Sequence, residues 1–357
     1  LSLALAAIML IGMMVVSASA VSYNDLTDKD QIVNKDAVSM LVSLGIIEGK
    51  PDGSYGPTEN VDRAQMAKML SVIMNKGVDN SALYQSVNSG LTDITSNWAK
   101  GHINYCYTTG IIAGRGNGTF DPSATVTALE AAKMLLVAVG YDPKIEGFEG
   151  ADWAINVSVR ADEQGIFEGF TKDLSAPLNR DDAALLIYNA LDVEMIQSYT
   201  TNNYPIVYSD HRTILSDKYG VIKVEGVVTA NEWAILDDDT DTALQEGKTR
   251  IYNPDGILST TGNTAVAQDS SANVKTQVFD VSTPVDMLGK AVTMYVKKTT
   301  ILADSTVYGA PVVSDVNTVI ETGEKVTGGD SKDDDSLAAL LKGTGLATDK
   351  ATEYYHN

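Results

Sequence analysis

The stretch "GIIAGRGNGTFDPSATVTALEAAKML", Gly110 to Leu135, sets four glycines between two apolar patterns of helical spacing, and its reading decides the fold because it occurs again. Residues 45–70 read "GIIEGKPDGSYGPTENVDRAQMAKML" and match it in register over 26 positions: Gly45 with Gly110, Gly49 with Gly114, Tyr55 with Phe120, Pro57 with Pro122, Lys68 with Lys133. A third version, "GIFEGFTKDLSAPLNRDDAALLIYNAL", starts at Gly165 and is three residues shorter in its loop. Repetition at intervals of 65 and then 55 residues implies one structural unit used three times.

Within the second copy, Ala99, Ile103, Cys106 and Tyr107 recur at helical spacing, and Gly110 falls where a left-handed cap residue ends a helix. Two apolar residues of "IIAG" then plug the core, and Asn117-Gly118 and Asp121-Pro122 signal turns. A second helix opens at Thr127 with Glu130 three positions on, the pattern of a capping box. Asp62 and Gln65 occupy those places in copy one, and Asn179 and Asp182 in copy three; the second helices are expected to end near Gly77 and Gly140. Each helix–loop–helix unit of about 50 residues is too small to bury much apolar surface alone, so three pack together.

After residue 200 the pattern changes to alternation. "YGVIKVEGVVTAN" and "KAVTMYVKK" put apolar side chains at every second position, and "NPDG" and "STTGN" mark turns. This half reads as a small β-rich domain, a sandwich or a partly open barrel, giving an α+β chain. Residues 261–276 and 328–336 are polar and read as loops or linkers. At the other end, "LSLALAAIMLIGMMVVSASA" is an apolar run closing on Ala18-Ser19-Ala20, read as a secretory signal lacking its charged start, with Val21 as the mature start; an uncleaved anchor is the other reading. The expected organisation is a signal at 1–20, repeats at 24–78, 88–142 and 148–197, a β-rich domain at 203–327 and an acidic tail at 328–357.

A net charge of -21 and a pI near 4.4 argue against nucleic acid or an anionic bilayer as partner. Cys106 stands alone, so no intramolecular disulfide is available and packing must stabilise the chain. His102, His211 and His356 are dispersed, with no metal-ligand spacing, no Gly-x-Ser-x-Gly elbow and no phosphate loop. "DDDTD" at 237–241 lacks the sixth-position Gly and twelfth-position Glu of a calcium loop and reads as a solvated turn. Acids are abundant, and spacing alone does not say whether any two form a hydrolytic pair. No catalytic residue, metal site or cofactor is therefore assigned.

The order "LTDITSNWAKGHINYCYTTGIIAGRGNGTFDPSATVTALEAAKML" resembles the S-layer homology repeat: an aspartate-containing lead, a Trp-Ala start, a Gly-Ile-Ile-x-Gly turn, a G-x-F-x-P loop and an Arg-Ala-Glu type helix start. The resemblance covers about residues 24–197. It implies a pseudo-threefold trimer of repeats whose grooves bind secondary cell-wall polysaccharide or another peptidoglycan-linked glycan, often pyruvylated, at a Gram-positive type envelope, with no membrane contact after signal cleavage. Carried over, the binding features are Asp93, Trp98 and Gly114 in copy two, with Ala128 where a basic residue is expected; Asp152, Trp153, Gly169 and Arg180 in copy three; and Glu48, Gly49 and Arg63 in copy one, where Val33 replaces the Trp. At least one groove is expected to be weakened. Grooves between copies would combine Arg63 or Arg180 with a neighbour's Trp, and Arg115 is a candidate substitute for the charge missing at 128.

The chemistry suits those residue types. A guanidinium forks onto a carboxylate such as a pyruvyl ketal, and an indole face covers the apolar side of a sugar ring. Each also has a purely structural reading, the Trp as core or interface and the Arg as a surface ion pair. The function expected is a non-catalytic, wall-anchored surface protein; a wall or polysaccharide hydrolase and a self-assembling lattice subunit are the alternatives.

Overall fold

The computed structural model describes residues 22–236, 243–253, 275–297, 306–314, 320–321 and 355–356. The apolar run at 1–20, "DDDTD", most of 261–276 and the segment 328–336 lie outside them. The chain divides into two compact units, Leu1–Tyr208 and Ser209–Asn357.

The first unit holds three helix pairs: α1 Lys35–Ser43 with α2 Arg63–Met74, α3 Lys100–Thr108 with α4 Ala128–Val139, and α5 Trp153–Glu163 with α6 Arg180–Leu191. Each first helix is stopped by a glycine in the left-handed region, Gly45, Gly110 and Gly165, with φ of 70°, 81° and 70°, where a Cβ is strained. Asp62 with Gln65 and Thr127 with Glu130 close both arms of their capping boxes, whereas Asn179 accepts from the Asp182 amide and no return bond is made. Helix α4 ends on Gly140 in the left-handed conformation; α2 ends at Met74 and reaches Gly77 through Asn75 and Lys76.

The three copies close into a ring. Val61 N–H donates to Leu178 O (2.8 Å), Leu178 N–H to Val126 O (2.8 Å) and Val126 N–H to Val61 O (2.9 Å), a cycle linking equivalent residues just ahead of the three second helices. All three side chains are buried, so the pseudo-axis is apolar and every backbone amide on it is paired. Around it each second helix packs on the next copy's first helix: α2 on α3, α4 on α5, α6 on α1. A two-stranded hairpin, β1 Ile196–Tyr199 and β2 Pro205–Val207, finishes this unit, and Tyr199 Oη accepts from the Asp142 amide and donates to Glu146.

The second unit is built on an antiparallel sheet of order β5-β4-β3-β6-β7, formed by Val221–Ala230 (β3), Thr249–Tyr252 (β4), Thr276–Phe279 (β5), Ala291–Lys297 (β6) and Val307–Val313 (β7). The alternation works as read: Ile222, Val224, Val228, Val292, Met294 and Val296 share one core with Ile251 and Phe279. Among the described residues there is neither closure between β5 and β7 nor a second large sheet, so what is seen is an open sheet.

Candidate functional site

Cyclic packing creates three clefts, each fed by all three copies. The arginine position of one copy meets the glycine loop and second helix of the next and the first-helix start of the one after.

The first cleft is a cavity of about 600 Å³ lined by Arg63 from copy one, Gly114, Arg115 and Lys133 from copy two, and Trp153 from copy three, with Glu130 and Glu149 at its walls. Arg63 is buried: Nε donates to Phe120 O (2.9 Å), Nη2 to Ala113 O (2.8 Å), and the guanidinium carbon lies 4.4 Å from the Phe120 ring centroid. Its third nitrogen, Nη1, stands 4.0 Å from Glu130. Burial pulls the guanidinium down to about 10, with Arg115 pushing the same way and Glu130, Asp121 and Asp93 opposing, so it stays charged at neutral pH. Lys133 Nζ sits 5.6 Å from the Trp153 ring centroid and donates to Phe148 O; burial first, then Arg63, lowers its pKa against Glu149 and Glu130. Gly114 is glycine for space, since a Cβ would meet Thr119 O at 2.8 Å.

In the second cleft Arg180, Lys68 and Trp98 hold the positions equivalent to Arg63, Lys133 and Trp153, related by the cyclic packing of the copies. Arg180 Nε donates to Tyr55 O (2.9 Å) with its guanidinium 4.7 Å from the Tyr55 ring centroid, and Tyr55 Oη donates back to Arg180 O (2.6 Å). Lys68 pairs with exposed Glu48 at 2.9 Å, beside the Gly49 turn, and Trp98 is 57% exposed at the start of α3. That exposure leaves an indole face free for a ring.

The third cleft has lost the set. Ala128 is fully buried where the others have arginine, Leu185 replaces the lysine, and Val33 replaces the indole. Its charged residues are Asp181, which accepts from the Val33 and Asn34 amides, and Asp182, paired with Lys172. An arginine thus occurs where the next copy offers an aromatic ring, Phe120 or Tyr55, and is missing where the shortened loop offers none.

Several sequence expectations are corrected. Arg115 does not stand in for Ala128: it lies in the first cleft, paired with Glu130 (3.3 Å) and Asp121 (3.5 Å), because Ala128 faces the loop of copy three. Asp152 is not the counterpart of Asp93. Asp93 accepts from the Phe120 and Asp121 amides (2.9 and 2.7 Å), whereas Asp152 is an exposed residue ahead of α5 without a capping bond, and the slot five residues before Trp153 holds buried Phe148. The true counterpart in copy one is Asp28, accepting from Tyr55 and Gly56 (2.7 and 2.8 Å); the 65-residue offset from Asp93 would have found it. Gly169 has φ +73°, unlike Gly114, so the short loop takes a different path. Lys68 and Lys133 match in register, but their sequence carries no site signal of its own; cyclic packing is what brings Lys133 to Trp153.

A model of the S-layer homology domain matches residues 22–67 and 90–132, the first two copies. A cell surface protein of Thermoanaerobacter kivui is 29% identical over 253 residues, 69% of this chain and 30% of that protein. An S-layer protein of Bacillus licheniformis is 34% identical over 113 residues, 32% of this chain and 12% of that one, and Exoglucanase XynX of Acetivibrio thermocellus is 27% identical over 188 residues, 48% and 16%. The chain thus spans less than a third of the length of these curated relatives.

Proposed function

Taking the chain as an S-layer homology domain protein of the cell surface, whose repeats imply binding of cell-wall polysaccharide, we propose that it is a non-catalytic anchor holding an acidic glycan in the first and second clefts. The observation that carries this is the convergence of Arg63, Lys133 and Trp153, from three copies, on one cavity. Buried and half-buried cations flank an indole there, the combination that takes a carboxylate and the apolar face of a sugar together. A pyruvyl ketal on a hexosamine has both. The third cleft, with alanine, leucine and valine in those places, does not take part. Self-association into a lattice is compatible with the anchor and is read by electron microscopy of the purified chain.

The test is a pull-down of the full chain on native walls and on walls stripped of secondary polymer, with Trp153→Ala and Trp98→Ala. Polymer-dependent retention that falls in each variant and is abolished in the double variant supports the anchor. Retention indifferent to polymer and to both indoles overturns it. Because the relatives include an exoglucanase as well as surface proteins, an anchored hydrolase is the second reading, and release of soluble sugars from wall glycan by the chain would establish it.

A further inference from the structure

The second cleft contains an ionisable group that the first lacks. His102, on α3 one turn after Trp98, is 3% exposed. Its Nδ1 is 2.6 Å from Ser71 Oγ on α2, its Nε2 is 3.6 Å from Asp79 on the segment after α2, and its ring lies edge-on to Trp98 at 6.4 Å between centroids. Lys68 on α2 and Glu48 in the turn after α1 also act on it electrostatically. The corresponding seam residues elsewhere are Val157 in copy three and Ala37 in copy one, both buried and neither able to titrate.

Resting on the anchor reading above, we propose that His102 is a specificity-determining residue that makes the second cleft a proton-responsive anion site, while the first cleft binds independently of pH. With His102 neutral, Lys68 is the cation whose charge reaches the imidazole beside Trp98. Burial first, and Lys68 further, hold the imidazole below its usual range, with Asp79 and Glu48 opposing, so proton uptake falls on the acid side of pH 6.5. A proton there adds a positive charge under the indole, which the half-exposed Asp79 compensates in part. A carboxylate-bearing sugar on Trp98 compensates the rest, so ligand and proton favour one another reciprocally. Across one ring width, with the screening of a partly wet cleft, one charge changes affinity by about fivefold. His102 touches no ligand in this account; it acts through charge and through the position of Trp98.

The experiment is calorimetric titration of the full chain with a pyruvyl-ketal hexosamine methyl glycoside at pH 7.5 and 5.0, where that carboxylate stays ionised. Trp153→Ala silences the first cleft and Lys68→Ala the second. The chain with Trp153→Ala is expected to bind about fivefold more tightly at pH 5.0, and the chain with Lys68→Ala equally at both. His102→Val in the Trp153→Ala background is expected to keep binding and lose its pH dependence. Valine is what copy three carries there, and Ser71 retains its bond to Lys68 O. His102→Gln, which keeps a polar partner without a charge, gives the same flat profile. A pH effect that survives both substitutions, an equal effect in the first cleft, or none in the second overturns the proposal while leaving the anchor intact. Failure of both chains to bind at any pH overturns both, and the anchor reading is then what has failed; failure of the Trp153→Ala chain alone overturns the proposal and leaves the anchor in the first cleft.

Discussion

Replacing Arg63 by alanine separates the two jobs its position suggests. Structurally the side chain ties copy one to copy two through two charge-assisted bonds to loop carbonyls and a ring contact. Leaving the buried Phe120 carbonyl without a donor costs about 1–3 kcal/mol, losing the bond to the carbonyl of exposed Ala113 costs about 1 kcal/mol, and the cation–π contact adds about 1 kcal/mol. Removal of a buried charge's desolvation penalty offsets part of this, so a net loss of about 3 kcal/mol is expected. For a helical unit of this size that lowers the melting temperature by roughly 10 °C. The measurement is thermal unfolding of the full chain followed by helical circular dichroism, read as the transition of the first unit. Arg63→Lys, which keeps the charge and loses the fork, is expected to lose about half as much. Phe120→Leu combined with Arg63→Ala is expected to fall short of additivity by about 1 kcal/mol. A melting temperature within experimental error of the parent, with wall binding abolished, would refute the reasoning and make Arg63 a ligand-binding group with no part in the seam.

Asp93→Ala removes the acceptor of two backbone amides and is expected to cost about 1–2 kcal/mol, with Asp28→Ala similar in copy one. Burial pushes the Asp93 carboxyl up, but the bonds from the Phe120 and Asp121 amides outweigh it and hold the group below its usual range. Its stabilisation is therefore present above about pH 4 and is lost as pH falls through the lowered value, so acid unfolding curves of parent and variant should converge once pH lies below it. In the sheet, Gly226→Ala would place a Cβ 2.6 Å from both the Ile251 side chain and Tyr252 O on β4. Loss of the β3–β4 pairing is expected, about 3 kcal/mol or more, and hydrogen exchange should show faster β4 amides with protection in α2 and α4 unchanged.

Much of this molecule was legible because the signals are short-range. Thr127 and Glu130 cap within one turn, Gly110 stops α3 by its own backbone angle, and the even-numbered apolar residues of β3 and β6 show their inner face without reference to partners. Repetition added the number of units. Local pattern says nothing of which copy follows which around the ring, and the binding features sit between copies. Arg63 and Trp153, 90 residues apart, share a cavity only because α2 packs on α3 and α4 on α5 before α6 returns to α1. For the same reason, matching Asp152 to Asp93 by proximity to tryptophan failed. Asp93 is defined by the amides of a loop 27 residues onward, and copy three fills that slot with Phe148. The sequence determined the three repeats, their caps and the alternating sheet, each set by contacts within a few residues. Tertiary closure decided which cleft has its cations and indole, which has alanine, leucine and valine, and where His102 lies, because those depend on a cyclic order of packing that no single copy encodes.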